Sequence, residues 1–204
     1  SSNMTIQNQN RYLLLLLLFF SSLPCAFGQF GLTGGINGFT VANHSLVGEI
    51  SPKANTHLGL FWETKVLKSN DKLFFRSDAV IVGKGYKQKI NQESFTQNFT
   101  YVGLWPSLQY RFSDIFGSHA GVELNGLYGT SSNNGTSVYQ SFECATFLGL
   151  DLFPKKQFSY FIRTSIGLTP VLDYKQIDPI EGIVGDLKDM YFRGILVGVN
   201  FKFP

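Results

Sequence analysis

Residues 57–66 read His57-Leu58-Gly59-Leu60-Phe61-Trp62-Glu63-Thr64-Lys65-Val66. Leu58, Leu60, Trp62, Thr64 and Val66 fall on one side of a two-residue period. His57, Gly59, Phe61, Glu63 and Lys65 fall on the other. Successive side chains of a strand point to opposite faces, so this period marks a strand with two unlike faces. No helical period persists over any long window after Gln29. The two-residue period recurs instead and predicts eight strands: 30–40, 57–66, 73–85, 99–112, 119–128, 141–152, 159–169 and 193–203. In the last of them Ile195, Val197, Val199, Phe201 and Phe203 share a face.

The connections alternate in length. Short polar links occur at 67–72, around Ser113 to Phe116, and around Pro154 to Gln157. Long ones are expected at about 41–56, 86–98, 129–140 and 170–192, the third with a mobile polar loop from Thr130 to Ser137. Short turns at one end and long loops at the other are the layout of an outer-membrane barrel. Both termini then lie at the short-turn, periplasmic end. No linker, internal repeat or second domain is visible.

Twelve charged residues fall within the eight strands, and eleven of them share the less apolar face. The exception, Arg193, sits at a strand end. Two polarities fit this split. A soluble barrel turns its apolar face inward; a membrane barrel turns it to lipid and keeps charge inside. Three features favour the membrane. The chain carries an export signal, the strands match or exceed the roughly 9–11 residues of a membrane-crossing strand, and aromatics gather near strand ends as interfacial girdles. Those aromatics are Trp62, Tyr110, Phe112, Tyr128, Tyr160 and Phe203. The competing reading is a secreted lipocalin-like barrel with an apolar ligand, which detergent dependence distinguishes. In lipid the sheet must close, because an open edge leaves unpaired backbone groups.

The interior charges are expected to form an ionic network of Glu63, Lys65, Arg76, Asp78, Arg111, Glu123, Glu143, Asp151, Arg163 and Lys202, with Lys84 on the same face. The 67–72 turn predicts Glu63 opposite Arg76, and the 154–157 turn predicts Asp151 diagonal to Arg163. Most of these charges, Lys65, Arg111 and Lys202 included, are placed in the periplasmic half. Eight strands leave an interior that side chains just fill, and buried charges persist only when paired. A hydrogen-bonded plug is expected rather than a wide channel.

Composition agrees. Of 204 residues, 15% are charged and 15% aromatic, with 21 Gly. Low charge and many aromatics exclude disorder; Gly and aromatics disfavour a long-helix protein. Mean hydropathy is +0.03, which excludes a bundle of membrane helices. A formal net charge of +3 gives no basis for nucleic-acid binding.

The one long apolar run, Leu13 to Phe20, follows Arg11 and is too short for a membrane helix. It fits a secretory signal ending at Ala26-Phe27-Gly28. The expected division is a cleaved leader over 1–28 and a barrel over 29–204, with Met4 as initiator and Ser1 to Asn3 unassigned. An uncleaved anchor helix and a lipoprotein acylated on Cys25 are the alternatives; Pro24 fits the latter poorly. The mature chain then keeps only Cys144, so no internal disulfide holds it. Cys144 is expected on the lipid face as an inert apolar thiol.

Catalytic and cofactor signatures are absent. His44, His57 and His119 lack metal-site spacing, and His57 and His119 are predicted near opposite barrel ends. No nucleophile elbow, zinc-protease motif or P-loop occurs. Asp173, Asp178, Asp186 and Asp189 read as a solvated acidic loop rather than a cation site. No catalytic, cofactor-binding or metal residue is assigned. Pro106 lies mid-strand, where it removes a ladder bond, and a bulge is expected there.

Phe30-Gly31-Leu32-Thr33-Gly34-Gly35-Ile36-Asn37 resembles the first strand of the small outer-membrane barrel domains of Bacteroidetes, the porin-family or PorT-like proteins. Gly59 to Glu63, Gly83 to Tyr86, Tyr101 to Pro106 with Tyr110-Arg111-Phe112, and Gly194 to Phe203 resemble later strands of the same family, in order and spacing. Pro204 departs from the usual aromatic last residue. The resemblance implies an eight-stranded membrane barrel whose Phe201 and Phe203 signal to the barrel-insertion machinery. It implies no substrate.

The sequence therefore predicts an all-β, closed, eight-stranded, antiparallel up-and-down transmembrane barrel in the bacterial outer membrane. Its expected partners are lipid, the insertion machinery and an envelope complex, with no cofactor and no enzymatic activity. The expected role is structural, or as a surface or accessory protein presenting long extracellular loops. A narrow passive pore, a PorT-like subunit of a secretion complex, a membrane-embedded hydrolase and the lipocalin-like binder are the alternatives.

Overall fold

The computed structural model describes residues 28–42, 49–67, 69–90, 93–131, 139–172, 174–178, 182–187 and 190–204. In chain order its strands are β1 (Gln29–Ala42), β2 (Glu49–Leu67), β3 (Asn70–Ile90), β4 (Glu93–Arg111), β5 (Phe116–Thr130), β6 (Phe142–Leu152), β7 (Phe158–Gly167), β8 (Tyr174–Asp178), β9 (Gly182–Leu187) and β10 (Tyr191–Lys202). Eight of them close a barrel in the order β1-β10-β7-β6-β5-β4-β3-β2, with β1 paired to both β2 and β10. Every pairing is antiparallel, and β8 and β9 form a separate hairpin. The eight predicted strands each correspond to one barrel strand. The wall has no free edge between β1 and β10, as a membrane-crossing sheet requires.

Gln29 stands opposite Glu63 and Gly31 opposite Lys202, so both ends of the barrel domain lie beside the short β2–β3, β4–β5 and β6–β7 links. At the other end the strands overrun the prediction. β2, β3 and β4 are 19, 21 and 19 residues long. At about 3.4 Å per residue a 21-residue strand runs roughly 70 Å, far beyond an apolar belt about 25 Å tall. The expected long loops at 41–56 and 86–98 are therefore largely strand, a three-stranded extension standing above the barrel. Its ladder pairs Lys87 with Thr96 and Lys89 with Ser94. Strand in water needs no apolar alternation, so these residues read as loop from composition alone. The last expected loop contains the β8–β9 hairpin. The polar loop expected from Thr130 to Ser137 lies outside the described residues beyond Ser131, as does the leader over 1–27.

Pro106 sits in the wall without the expected bulge. β3–β4 pairing is continuous through Ser77 opposite Pro106. Toward β5 the same register holds at Leu104–Leu124 and at Ser107–Gly121, and the register shift comes at Thr100–Tyr101 instead. A Cβ built on Gly121 would stand 2.3 Å from the Pro106 carbonyl oxygen. That carbonyl therefore faces β5, and so would the missing N–H. The proline opens the ladder for two residues while a glycine lets the strands close up opposite it.

Candidate functional site

Outward side chains make a nearly continuous apolar belt. Leu58, Ile81, Leu148 and Ile195 are each more than half exposed, and Leu60, Val102, Leu150 and Ile162 lie beside them. At the turn end Phe30, Tyr110, Phe112, Phe116, Phe158, Tyr160 and Phe203 are exposed aromatics, and Trp62 packs on Phe75 at 6.0 Å between ring centroids. Below them lie the polar turns, where Lys155 binds Asp114 at 2.5 Å. Hydrogen bonding and charge from Lys155 hold the Asp114 carboxyl below its usual range. At the opposite rim Tyr128 and Phe142 are exposed. Arg193 is exposed on the outer face, as expected.

The inside is the reverse. Among the described residues ten charged ones are buried: Arg76, Lys84, Arg111, Arg163 and Lys202 against Glu63, Asp78, Glu123, Glu143 and Asp151. Five cations and five anions cancel. Alternation turns each side chain inward, and antiparallel pairing stacks them in one lumen.

They form two tiers. In the lower tier Glu63 Oε1 accepts from Arg111 Nη2 at 2.6 Å and from Lys202 Nζ at 2.7 Å. Lys202 also donates to the Pro154 carbonyl at 2.7 Å. Arg111 Nε donates to Gln109 Oε1 at 3.1 Å, and Gln109 Nε2 donates to Asp151 Oδ2 at 3.0 Å. That oxygen meets His119 Nδ1 at 2.8 Å, and Arg163 Nε donates to His119 Nε2 at 3.2 Å. Arginine can only donate. His119 is therefore the neutral tautomer with its proton on Nδ1. Arg163 then lies at ion-pair distance, 3.6 Å, from Asp78. Arg76 closes the tier, donating to Asp78 at 2.6 Å and to Asn200 at 2.8 Å.

In the upper tier Lys84 Nζ donates to Glu123 at 2.8 Å and to both oxygens of Glu143 at 2.9 and 2.8 Å. Asn125 bridges these carboxylates, and Trp105 Nε1 donates to Asn125 Oδ1 at 2.8 Å. Arg163 spans the gap between tiers with its guanidinium 4.3 Å from the Phe147 ring centre. Over Lys84 stands an apolar cap of Phe39, Phe99, Tyr101, Met190, Phe192 and Val171. Phe99 meets Phe192 at 5.5 Å and Tyr139 at 4.9 Å. Isolated ions in such surroundings would be far too costly; these are paired and hydrogen-bonded.

Nine of the ten predicted network residues face the lumen. Lys65 does not: it lies at the turn end, half exposed, bonded to Asp71. The strand's alternation breaks there, at a register shift between Lys65 and Leu67. Glu63 does stand opposite Arg76, yet their side chains choose other partners across the lumen. Asp151 is opposite Phe161 and Gly149 opposite Arg163, which makes Asp151 and Arg163 diagonal as expected. His57 and His119 are not at opposite ends. Both rings pack on Phe161, at 5.8 and 6.3 Å. Strand tilt in a barrel brings residues level that a flat reading separates. Gln109, His119, Asn125 and Asn200 are network members that sequence reasoning missed. Their inward register follows from the alternation, but as neutral side chains they carry no charge to mark them as network members. Cys144 lies on the outer face, partly buried. Among the described residues no cluster of His, Cys, Asp or Glu is arranged to hold a metal.

No protein-family model matches the chain, and no curated protein matches it. Solved structures do. Ail, the attachment invasion locus protein of Yersinia pestis, is similar at 13% identity over 87% of this chain and 99% of its own, with a TM-score of 0.48. The outer membrane protein AlkL, solved in lipid bilayers, is similar at 10% identity over 89% of this chain and 94% of its own, with a TM-score of 0.47. The outer membrane protein OprG from Pseudomonas aeruginosa is similar at 14% identity over 87% and 96% respectively, with a TM-score of 0.44.

The chain's own walls decide which solvent it meets. An apolar exterior belt and a charged interior are the wrong way round for a barrel in water, which overturns the lipocalin-like alternative. A closed antiparallel barrel of this polarity is a membrane-spanning barrel of the outer-membrane type.

Proposed function

We propose that this chain is a sealed outer-membrane barrel with a structural or surface role rather than a route for solutes. The observation that carries the reading is the filled lumen: five buried cations and five buried anions joined in one hydrogen-bonded network beneath an aromatic cap. A conducting pore needs a continuous wet path, and here side chains from all eight walls meet across the axis. In planar bilayers the purified barrel is expected to give no stable ion conductance, and liposomes containing it are expected not to swell in small sugars. A steady, voltage-independent open level would overturn the seal and restore the narrow-pore reading.

The surface that such a barrel offers is the β2–β4 extension beyond the belt. The resemblance to PorT-like proteins supports a second reading, a subunit of an envelope secretion complex; co-purification of defined envelope proteins in mild detergent tests it. A membrane hydrolase finds less support. The pair of Asp151 and His119 has the outline of a catalytic dyad, but the second imidazole nitrogen faces Arg163 rather than a hydroxyl. The leader over 1–28 and the terminal Phe201 and Phe203 belong to the same proposal. Export is expected to leave Gln29 as the first residue, and loss of both phenylalanines is expected to reduce assembly by the insertion machinery.

A further inference from the structure

Outside the bonded network, the inner wall of β1 and β2 carries polar groups without protein partners. Both ring nitrogens of His57, both amide atoms of Asn37 and Nδ2 of Asn55 have none among the described residues. Asn37 and His57 are each only 3% exposed. Asn37 stands opposite Asn55, and Gly35, two residues along from Asn37, stands opposite His57. The three side chains thus line one strip, with a glycine in the fourth place. On the neighbouring strand Gly198 stands opposite Gly35, and the Phe161 ring lies over it and bounds the strip on that side. The His57 ring leans on Phe161 and Trp105, at 5.8 and 6.3 Å, and neither ring lies where it would serve as a partner.

Five buried polar atoms in one strip cannot all stay dry in a stable fold. Their chemistry says what satisfies them. Asn37 offers a donor and an acceptor; His57, neutral, offers one of each; Asn55 offers a donor, its oxygen lying 3.4 Å from Lys53 Nζ. A cation would leave the donors unmet and an anion would leave the acceptors unmet. We propose that Asn37, Asn55 and His57 line an internal site for a small neutral hydrogen-bonding ligand, and that its resident ligand is a cluster of water molecules. The lumen is then sealed to ions yet wet along one wall. Buried water in proteins typically makes about three hydrogen bonds, and this strip supplies them from two strands. The inference holds whether or not the barrel conducts.

Water-edited solid-state NMR on the full mature barrel in lipid bilayers, with nitrogen-15 in His and Asn, tests it. Magnetisation is expected to build up from water several-fold faster at the His57 ring and at the Asn37 and Asn55 side-chain amides than at His119. His119 is the internal control, because both its nitrogens are bonded within the protein. Equal build-up at His57 and His119 would overturn the proposal. So would magnetisation reaching His57 from lipid or detergent protons instead of water. A double variant, Asn37→Leu with His57→Phe, fills the strip with apolar groups of similar size. Where it folds, the fast build-up at Asn55 is expected to vanish, and its persistence counts against the site. The wild-type comparison stands without the variant.

Discussion

Lys84 shows how much hangs on one lumen residue. Its ammonium is fully buried and is the only cation in direct contact with Glu123 and Glu143 among the described residues. Removing one member of a buried ionic group strands the rest, at about 3–5 kcal/mol, while removing the whole group is often neutral. Lys84→Met is therefore expected to lower stability by about 3–5 kcal/mol, read as the urea midpoint for loss of the folded gel band. Adding Glu123→Gln and Glu143→Gln to it is expected to recover most of the loss. If the triple variant is no better than the single, the tier is not an ionic unit. Lys65 is the contrast. Its bond to Asp71 lies in solvent, where such pairs contribute about 0–1 kcal/mol, so Lys65→Ala should shift the same midpoint by less than about 0.5 kcal/mol. At this scale the sequence shows which face a charge takes wherever the alternation runs unbroken, which it does not at Lys65. It could not show the partners. Glu63 has Arg76 directly opposite but bonds Arg111 and Lys202, because side chains in a narrow lumen reach across the axis as readily as along the wall. His119 was passed over for the same reason: its partners, Asp151 and Arg163, meet only when the sheet curls.

A strand's identity was legible wherever lipid or lumen constrained both of its faces. Each of the eight predicted segments lies almost wholly in a barrel strand, because apolar-out and polar-in must hold through the belt. Their outer ends were not legible, since β2, β3 and β4 continue into water where either face tolerates polar residues. Pro106 misled for a related reason. A proline in a closed wall was expected to force a bulge, whereas β4 simply skips pairs with β5 and keeps register. The close approach at Gly121 is part of that arrangement. Gly121→Ala would press its methyl against the Pro106 carbonyl, with Phe147 and Ser107 also within 2.7 Å. Overpacking of this kind costs about 1–3 kcal/mol. The loss should appear as a lower unfolding midpoint together with faster amide exchange at the β4–β5 seam. Wild-type stability would show that the seam is looser than described.

For the whole molecule, inside and outside have exchanged the roles they hold in a water-soluble barrel, and this makes substitutions there asymmetric. Ile162 faces outward, half exposed, near the middle of β7. Ile162→Arg is expected to cost about 2–4 kcal/mol, the range for arginine at the bilayer midplane of a barrel, when unfolding is followed from lipid vesicles. Were the same substitution harmless there, the belt would not be a lipid surface. Low charge and abundant aromatics already suggested an unusual solvent for the chain, while alternation diluted the hydropathy average to near zero. What composition could not express is that the buried charges are equal in number, five of each sign, and share one network.

That matching bears on how the chain assembles. Glu63 on β2 takes one counter-ion from β4 and the other from Lys202, the final residue of the barrel's last-made strand. A hairpin entering the bilayer alone would drag an unneutralised charge into hydrocarbon. The lower tier is therefore complete only when the first and last strands meet, and a chain cut before β10 leaves Glu63 with Arg111 alone, so the closing strand supplies charge balance as well as a ladder.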